Sequence, residues 1–296
     1  MMQDLITIEN CDICGSKDLR VFDAPGHIMY CLRCGFKFTS PRKVLDKEIA
    51  DNDVQYRQEH SKTFDRQRSL ASYERRMAVF CRYAPCGRVL DVGAGFGSFL
   101  HLCKASGAYE CHGTEVAAFC VDFAKQEFGL DLKAGILEEA CYPSSYFDAV
   151  TMWHVLEHVP SPAAMLREIA RILKPGGCLF IAVPNDSVMA RPGFWKNSVK
   201  LGVNRLLGRD ALKLKKMYPV YAEEGNYHLS HFTPASMKRL LACNGYEALE
   251  IGPDDAYNRV SAGAAKAERS FGFALKVHGL TGIVSFDALL AVARKV

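Results

Sequence analysis

No apolar run in this chain of 296 residues approaches the roughly 20 residues that a membrane-spanning helix needs. Residues 1–10, Met-Met-Gln-Asp-Leu-Ile-Thr-Ile-Glu-Asn, lack the basic start, apolar stretch and small-residue cleavage site of a secretion signal. Charge of one sign is also in short supply, since 37 Lys and Arg against 33 Asp and Glu leave a net +4. That balance suits an anionic substrate or surface and falls short of the basic excess of a dedicated nucleic-acid binder. Disulfide scaffolding is missing too. Of twelve cysteines, eight (Cys81, Cys86, Cys103, Cys111, Cys120, Cys141, Cys178 and Cys243) follow no framework spacing, so a reducing, cytoplasmic compartment is expected. Neither an internal repeat nor a low-complexity segment is present.

The other four cysteines form two short words, Cys11-Asp-Ile-Cys14-Gly15 and Cys31-Leu-Arg-Cys34-Gly35. Cysteines two apart present both thiolates to one ion, and the glycine that follows permits the tight turn that aims backbone N–H groups at sulfur. Sixteen residues separate the pairs, inside the range of a four-cysteine zinc site. Four thiolates close the coordination shell, which predicts a structural zinc with no position for water or substrate.

With 49% apolar residues the chain can fill one sizeable core plus a small module. The expected division is a zinc-ribbon-like module over 1–45, a helical linker or cap over 46–86, and a main domain over 87–296. In the cap, Phe64, Leu70, Tyr73, Met77 and Phe80 make an irregular apolar stripe. From Arg88 the pattern becomes strand, glycine loop, helix, and then repeats. Strands are predicted at Arg88–Val92, Glu110–Glu115, Asp131–Ala134, Phe147–Met152, Cys178–Val183, Tyr246–Ile251 and Ala288–Ala293. Helices are predicted at Ser98–Ser106 and around Ala117–Phe128. Two more follow the caps Ser161-Pro162 and Thr233-Pro234, which set proline at the first helical position. This alternation predicts an α/β fold with a mostly parallel sheet and helices on both faces.

Gly93, Gly95 and Gly97 fall in the first strand-to-helix turn, where ligands collect in open sheets of this type. Asp91, at the strand end, can brace the loop, and Glu115, eighteen residues past Gly97, is placed to accept both ribose hydroxyls of an adenosine. Dinucleotide loops read Gly-x-Gly-x-x-Gly; here the third glycine comes one residue early.

Four segments together resemble the class I S-adenosylmethionine-dependent methyltransferases over roughly Gly87 to Tyr246. They are Val89-Leu-Asp-Val-Gly-Ala-Gly-Phe-Gly-Ser-Phe99, Phe147-Asp-Ala-Val-Thr-Met-Trp-His-Val-Leu-Glu-His-Val159, Leu173-Lys-Pro-Gly-Gly-Cys-Leu-Phe-Ile-Ala-Val-Pro-Asn185, and His231-Phe-Thr-Pro234 with Gly245-Tyr246. The resemblance implies a Rossmann-like seven-stranded sheet whose last strand, the terminal run, is antiparallel. It implies S-adenosylmethionine as cofactor, with the glycine loop on the methionine portion, Glu115 on the ribose and Gly135-Ile136-Leu137 on the adenine edge. Many relatives carry an acid after that third strand where this chain has Ile136. The leading zinc module also resembles a bacterial group of sugar, polysaccharide and secondary-metabolite methyltransferases.

The expected chemistry is in-line methyl transfer to a small-molecule, sugar or lipid-linked acceptor, most naturally at oxygen, with a base tuned near neutrality. His154, directly past the fourth strand, and His231, ahead of the capped helix, are the candidates, and Trp153 offers an aromatic wall to the cofactor. An insertion over about 186–232 is rich in base. Between 189 and 216 it reads as a basic amphipathic pattern, suited to a lid or to peripheral contact with an anionic membrane surface. Two rivals stay open. One is an RNA methyltransferase that grips RNA through its zinc module. It is disfavoured because the fourth strand runs into Trp153-His-Val-Leu rather than an Asn-Pro-Pro-aromatic turn, and nucleic acid is not the expected partner. The other is a non-catalytic adaptor that keeps only the fold.

Overall fold

The computed structural model describes residues 5–23, 27–43, 66–187, 228–254 and 288–296. Phe64, the basic stretch 189–216 and a second mixed segment at 266–284 lie outside the described residues. The main sheet has seven strands: β6 (Gly87–Val92), β7 (Tyr109–Glu115), β8 (Lys133–Ala134), β9 (Phe147–Trp153), β10 (Leu173–Pro184), β12 (Tyr246–Pro253) and β13 (Ala288–Lys295). Their order is β12-β13-β10-β9-β6-β7-β8, and β13 runs antiparallel to both β10 and β12 while the remaining pairs are parallel. The expected seven-stranded, mostly parallel sheet with an antiparallel final strand is thus present.

Order follows from burial. β9 and β10 are almost continuously apolar because helices cover both faces, and residues 178–183 of β10 are all buried. β8 is an edge strand of two residues, shorter than the predicted Asp131–Ala134, because Leu132 tucks against Gly113 instead of extending the ladder. β10 starts five residues before the predicted Cys178, at Leu173, through a register shift between Leu173 and Cys178 that Gly176 permits at φ 74°.

Helices α2 (Ser98–Ser106), α3 (Ala118–Phe128), α4 (Pro162–Ile172) and α5 (Pro234–Cys243) follow the expected punctuation. The Ser161 hydroxyl caps α4 by accepting from Ala164 N, and Thr233 with Ser236 forms a capping box on α5. Ahead of the sheet, α1 (Arg66–Tyr83) lays Phe80 against Phe99 and Phe180 at ring-centre distances of 5.2 and 4.8 Å.

The cysteine words belong to a separate four-stranded sheet, β11-β4-β3-β2, built from β2 (Leu19–Asp23), β3 (Ile28–Cys31), β4 (Lys37–Thr39) and β11 (Ser230–His231); β1 (Leu5–Ile6) pairs with β5 (Arg42–Lys43) beside it. Its fourth strand therefore comes from the segment before α5. Further contacts bind the module to the main domain: Phe36 on Phe232 at 5.7 Å, Lys37 to Asp186 at 2.7 Å, and Arg42 Nη2 donating to Pro160 O. Asp12, between the first two cysteines, accepts from Ser161 Oγ at 2.6 Å and Ala163 N at 2.7 Å at the start of α4.

Candidate active site and metal centre

After β6 the chain moves to β7 and β8 on one side, then crosses to β9 on the other, so the carboxyl ends of β6 and β9 flank the topological switch point. The glycine turn leaves β6 there, and Trp153-His154 leaves β9 beside it.

All three glycines have positive φ: 66° at Gly93, 52° at Gly95 and 77° at Gly97. At Gly93 a Cβ would stand 2.6 Å from Val155 Cγ2, and at Gly97 one would stand 2.9 Å from Leu130 Cδ1. Gly93→Ala is expected to destabilise the protein by about 1–2 kcal/mol through the left-handed backbone alone, with Val155 adding to it. Scanning calorimetry would show the lowered melting temperature, and an unchanged melt would mean that the turn relaxes without cost.

Glu115 is buried at the end of β7, and its two oxygens reach across the turn: Oε2 accepts from Gly95 N at 2.7 Å and Oε1 from Ala117 N at 2.8 Å. Burial raises its pKa against the pull of the Ala117 and Gly95 amides. Asp91 bonds sideways rather than to the loop, its Oδ1 accepting from Thr151 Oγ1 on β9 at 2.6 Å. Burial pushes the Asp91 carboxyl up to about 7, with Thr151 and Arg76 opposing. Because the folded value lies above the unfolded 3.8, the native state holds the proton more tightly, and stability declines as pH rises from about 4 through 7. Asp91→Asn is therefore expected to raise the melting temperature of the cofactor-free protein by a few degrees, roughly, at pH 8. The gain should shrink at pH 5, and an equal gain at both pH values would contradict this origin.

Trp153 is buried, and its indole Nε1–H lacks a hydrogen-bond partner among the described residues. Phe99, at the start of α2, stands 5.1 Å away ring to ring. His154 has φ 59°, a left-handed backbone uncommon outside glycine, held by its N–H donating to Ala182 O at 2.8 Å. Its Nδ1 lies 3.4 Å from Glu157 Oε1 and its Nε2 lies 3.7 Å from Asp254 Oδ2. Burial lowers the His154 pKa, but the two carboxylates outweigh it and the net direction is upward. Burial raises the Glu157 carboxyl, yet the surrounding imidazoles of His154, His158 and His228 bring it below its ordinary value.

His231 is placed elsewhere, in β11, with Nε2 3.2 Å from Thr39 Oγ1 in the zinc-module sheet. Ile136 follows β8, half-buried, beside Gly135, whose N–H donates to Glu115 O. So the structure gathers Asp91, Gly93, Gly95, Gly97, Glu115, Trp153 and His154 at adjacent strand ends, with Ile136 next along and His231 in the neighbouring sheet. Sequence reasoning missed Arg76 and Asp254, which join His154 from opposite ends of the chain. The signal was slight: one arginine inside an apolar stripe.

A cofactor with an adenosyl group fits this ground on two observations. The Glu115 carboxylate takes the amides of Ala117, Gly95 and Val116, and of its about four acceptor positions keeps room for a hydroxyl. The buried Trp153 N–H wants an acceptor that the described residues do not provide.

In the zinc-ribbon-like module, Cys11 Sγ and Cys34 Sγ stand 3.4 Å apart, Cys14 Sγ and Cys31 Sγ 3.6 Å apart, and all four sulfurs lie within 4.8 Å of one another. Gly15 and Gly35, at φ 68° and 76°, close both turns by donating to Cys11 O and Cys31 O. Burial drives the Cys11 thiol upward and Cys34 up to about 11, while the amides of Cys34 and Arg33 help bring Cys31 down against its own burial. Four crowded sulfurs with amides aimed at them are a donor set compatible with a tetrahedral zinc ion.

Residues 51–251 match the family described as a methyltransferase domain. The chain belongs to that family, and its fold is that of the class I S-adenosylmethionine-dependent methyltransferases. Among curated proteins it is similar to a ubiquinone biosynthesis O-methyltransferase of Xanthomonas oryzae, at 38% identity over 109 residues that cover 35% of this chain and 45% of that protein. A protein of the same name from Neisseria meningitidis is 36% identical over 34% of this chain and 46% of its own length. The chain thus spans about half the length of the curated relatives it matches. A crystal structure from Listeria monocytogenes, assigned as an S-adenosylmethionine-dependent methyltransferase, shares the fold at TM-score 0.51 and 16% identity, over 76% of this chain and 99% of that one. No helix among the described residues is long and apolar enough to cross a membrane.

Proposed function

We propose that this chain transfers a methyl group from S-adenosylmethionine to a hydroxyl oxygen of a small-molecule acceptor, sugar and lipid-linked acceptors included. The observation that carries the reading is the convergence, at one switch point, of the glycine turn, the Glu115 carboxylate and the Trp153-His154 pair. S-adenosylmethionine supplies an activated methyl on a sulfonium. The chain's part is to hold, align and deprotonate. Gly93, Gly95 and Gly97 let the main chain approach the methionine portion, Asp91 fixes β6 to β9 beneath it, Glu115 accepts the ribose hydroxyls, and Ile136 walls the adenine. Trp153 walls the sulfonium side. His154 would take the acceptor hydroxyl's proton as the bound cofactor supplies its methyl to that oxygen. His231 closes the acceptor side from the zinc module, where Cys11, Cys14, Cys31 and Cys34 hold a structural zinc.

Oxygen as the methylated atom is favoured by a histidine placed to remove a hydroxyl proton and by the curated relatives being named O-methyltransferases. Calorimetric titration of the zinc-loaded protein with S-adenosylmethionine and its demethylated product, followed by transfer assays on phenolic and sugar hydroxyls with mass-spectrometric location of the methyl, tests it. Micromolar cofactor affinity and an O-methylated product are expected. No measurable affinity for either compound overturns the reading.

A further inference from the structure

Three charged side chains, two of them outside every motif, meet at His154. Arg76, on α1, donates from Nη2 to Asp254 Oδ2 at 2.5 Å, although 178 positions separate them in the chain. Both are buried, at 6% and 1% exposure. The Arg76 guanidinium is also stacked 4.8 Å over Trp153 and 5.1 Å over Tyr73, so its plane is fixed from two sides. The same Asp254 oxygen lies 3.7 Å from His154 Nε2, and Glu157 Oε1 lies 3.4 Å from Nδ1. Each ring nitrogen therefore faces its own carboxylate.

Formal charge makes the arrangement directional. Arg76, Asp254 and Glu157 together sum to minus one, and a proton gained by His154 brings the group of four to zero. Nε2 is buried and lies 3.7 Å from Asp254 Oδ2, so Nδ1 is the ring nitrogen left to receive the acceptor's proton. The attraction of Asp254 for the ring grows as the ring becomes a cation, which is the condition for favouring a transition state over a ground state. Arg76 keeps Asp254 ionised, its carboxyl held down at about 2 against the effect of burial, so Asp254 does not take the proton itself.

We infer that Asp254, anchored by Arg76, is a positioning residue for His154, setting the ring's orientation and stabilising the imidazolium that forms when the acceptor's proton arrives. This rests on the reading of His154 as the proton acceptor. Among the described residues, the other titratable groups around this cluster are Tyr73 on α1 beside Arg76, and His158 in the turn after β9 and His228 ahead of β11 beside Glu157; Asp91 on β6 adds to the field at Arg76.

The test is Asp254→Asn in the full zinc-loaded chain. Affinity for S-adenosylhomocysteine by calorimetry should stay within about twofold, while kcat falls about ten- to a hundredfold. The acceptor KM should move far less than kcat. Loss of the carboxylate removes stabilisation of the imidazolium, so the acid limb of kcat/KM should move to lower pH. The His154 ring signal in NMR, assigned with His154→Gln, should titrate at lower pH as well. Leaving Arg76 buried without its partner could unfold the single variant. In that event Arg76→Met/Asp254→Asn, with no charge stranded, is still expected to shift both the limb and the ring titration downward. A folded variant whose acid limb and His154 titration match the wild type overturns the inference. Failure of the underlying reading looks different, namely a wild-type enzyme without transfer, or one whose kcat is indifferent to His154→Gln.

Discussion

Glu115→Ala is expected to weaken binding of S-adenosylhomocysteine by about a hundredfold or more, roughly 3 kcal/mol, with little loss of fold. A carboxylate that accepts two ribose hydroxyls makes two charge-assisted hydrogen bonds, each worth about 1.5–3 kcal/mol once buried. The cost should exceed a simple sum, because the same side chain tethers the turn through Gly95 N and Ala117 N at 2.7 and 2.8 Å. Alanine strands those two amides and frees the turn along with the ribose. Against this stands a gain. Burial disfavours the Glu115 charge, so its removal relieves a cost in the cofactor-free protein, and the melting temperature should fall little. Glu115→Gln separates the two jobs. Its amide oxygen keeps one acceptor and its NH2 confronts a backbone N–H, which predicts an intermediate loss, about tenfold, for a neutral isostere. Isothermal titration of the three proteins reads the series. Equal affinity for wild type and Glu115→Ala would remove the ribose assignment and with it the foundation for placing the cofactor at this turn.

How far the sequence disclosed this site depends on how local the signal is. Gly93, Gly95 and Gly97 were legible because positive φ at a strand-to-helix turn is a local demand that glycine meets. Ser161-Pro162 and Thr233-Pro234 were legible for the same reason: capping is decided within four residues. Glu115 was legible by its distance from the turn, although its use of both oxygens on backbone amides was not. Asp91 was read as a brace for the loop, and the structure turns it to Thr151 instead, because strand neighbours are set by sheet order and not by sequence distance. Arg76 and Asp254 escaped altogether, and Glu157 was legible as part of the Phe147–Val159 segment but not as a partner of His154 Nδ1. Each is an ordinary charged residue in its own window, and only tertiary packing desolvates them around one imidazole. The sharing of β11 between the segment before α5 and the zinc module was equally hidden, since two residues carry no periodicity.

That shared strand ties the proposed metal centre to residues well beyond its own. Cys31→Ser, or stripping the metal with a chelator, is expected to lower the melting temperature by about 10 °C, the equivalent of some 3–5 kcal/mol in a domain of this size. Three supports would go together. Cys31 is fully buried in β3, and without a metal the remaining thiols, with Cys11 the most strongly buried, lose the cation that would compensate their ionisation. Ile13, Phe36 and Phe38 then lose the turns that hold them in the core, each worth about 1.5–3 kcal/mol when fully buried. Asp12, Arg42 and Thr39 also lose their fixed positions, and with them the bonds to Ser161, Ala163, Pro160 O and His228 O. The last effect travels. Pro160 and Ser161 close the turn that begins at His154, and Leu229 and Ser230 donate to Glu157 O from the strand that β4 holds. The glycine turn and Glu115 stand on β6 and β7, and the packing of Val155 against Gly93 is the contact that links them to this turn. Metal loss should accordingly raise hydrogen exchange over 154–163 and 228–232 and reduce methyl transfer strongly, while affinity for S-adenosylhomocysteine falls by less than about fivefold. Metal analysis, calorimetry and exchange mass spectrometry on one preparation decide it. A Cys31→Ser protein that keeps its melting temperature and its exchange pattern would mean that the module rides on the domain without supporting it.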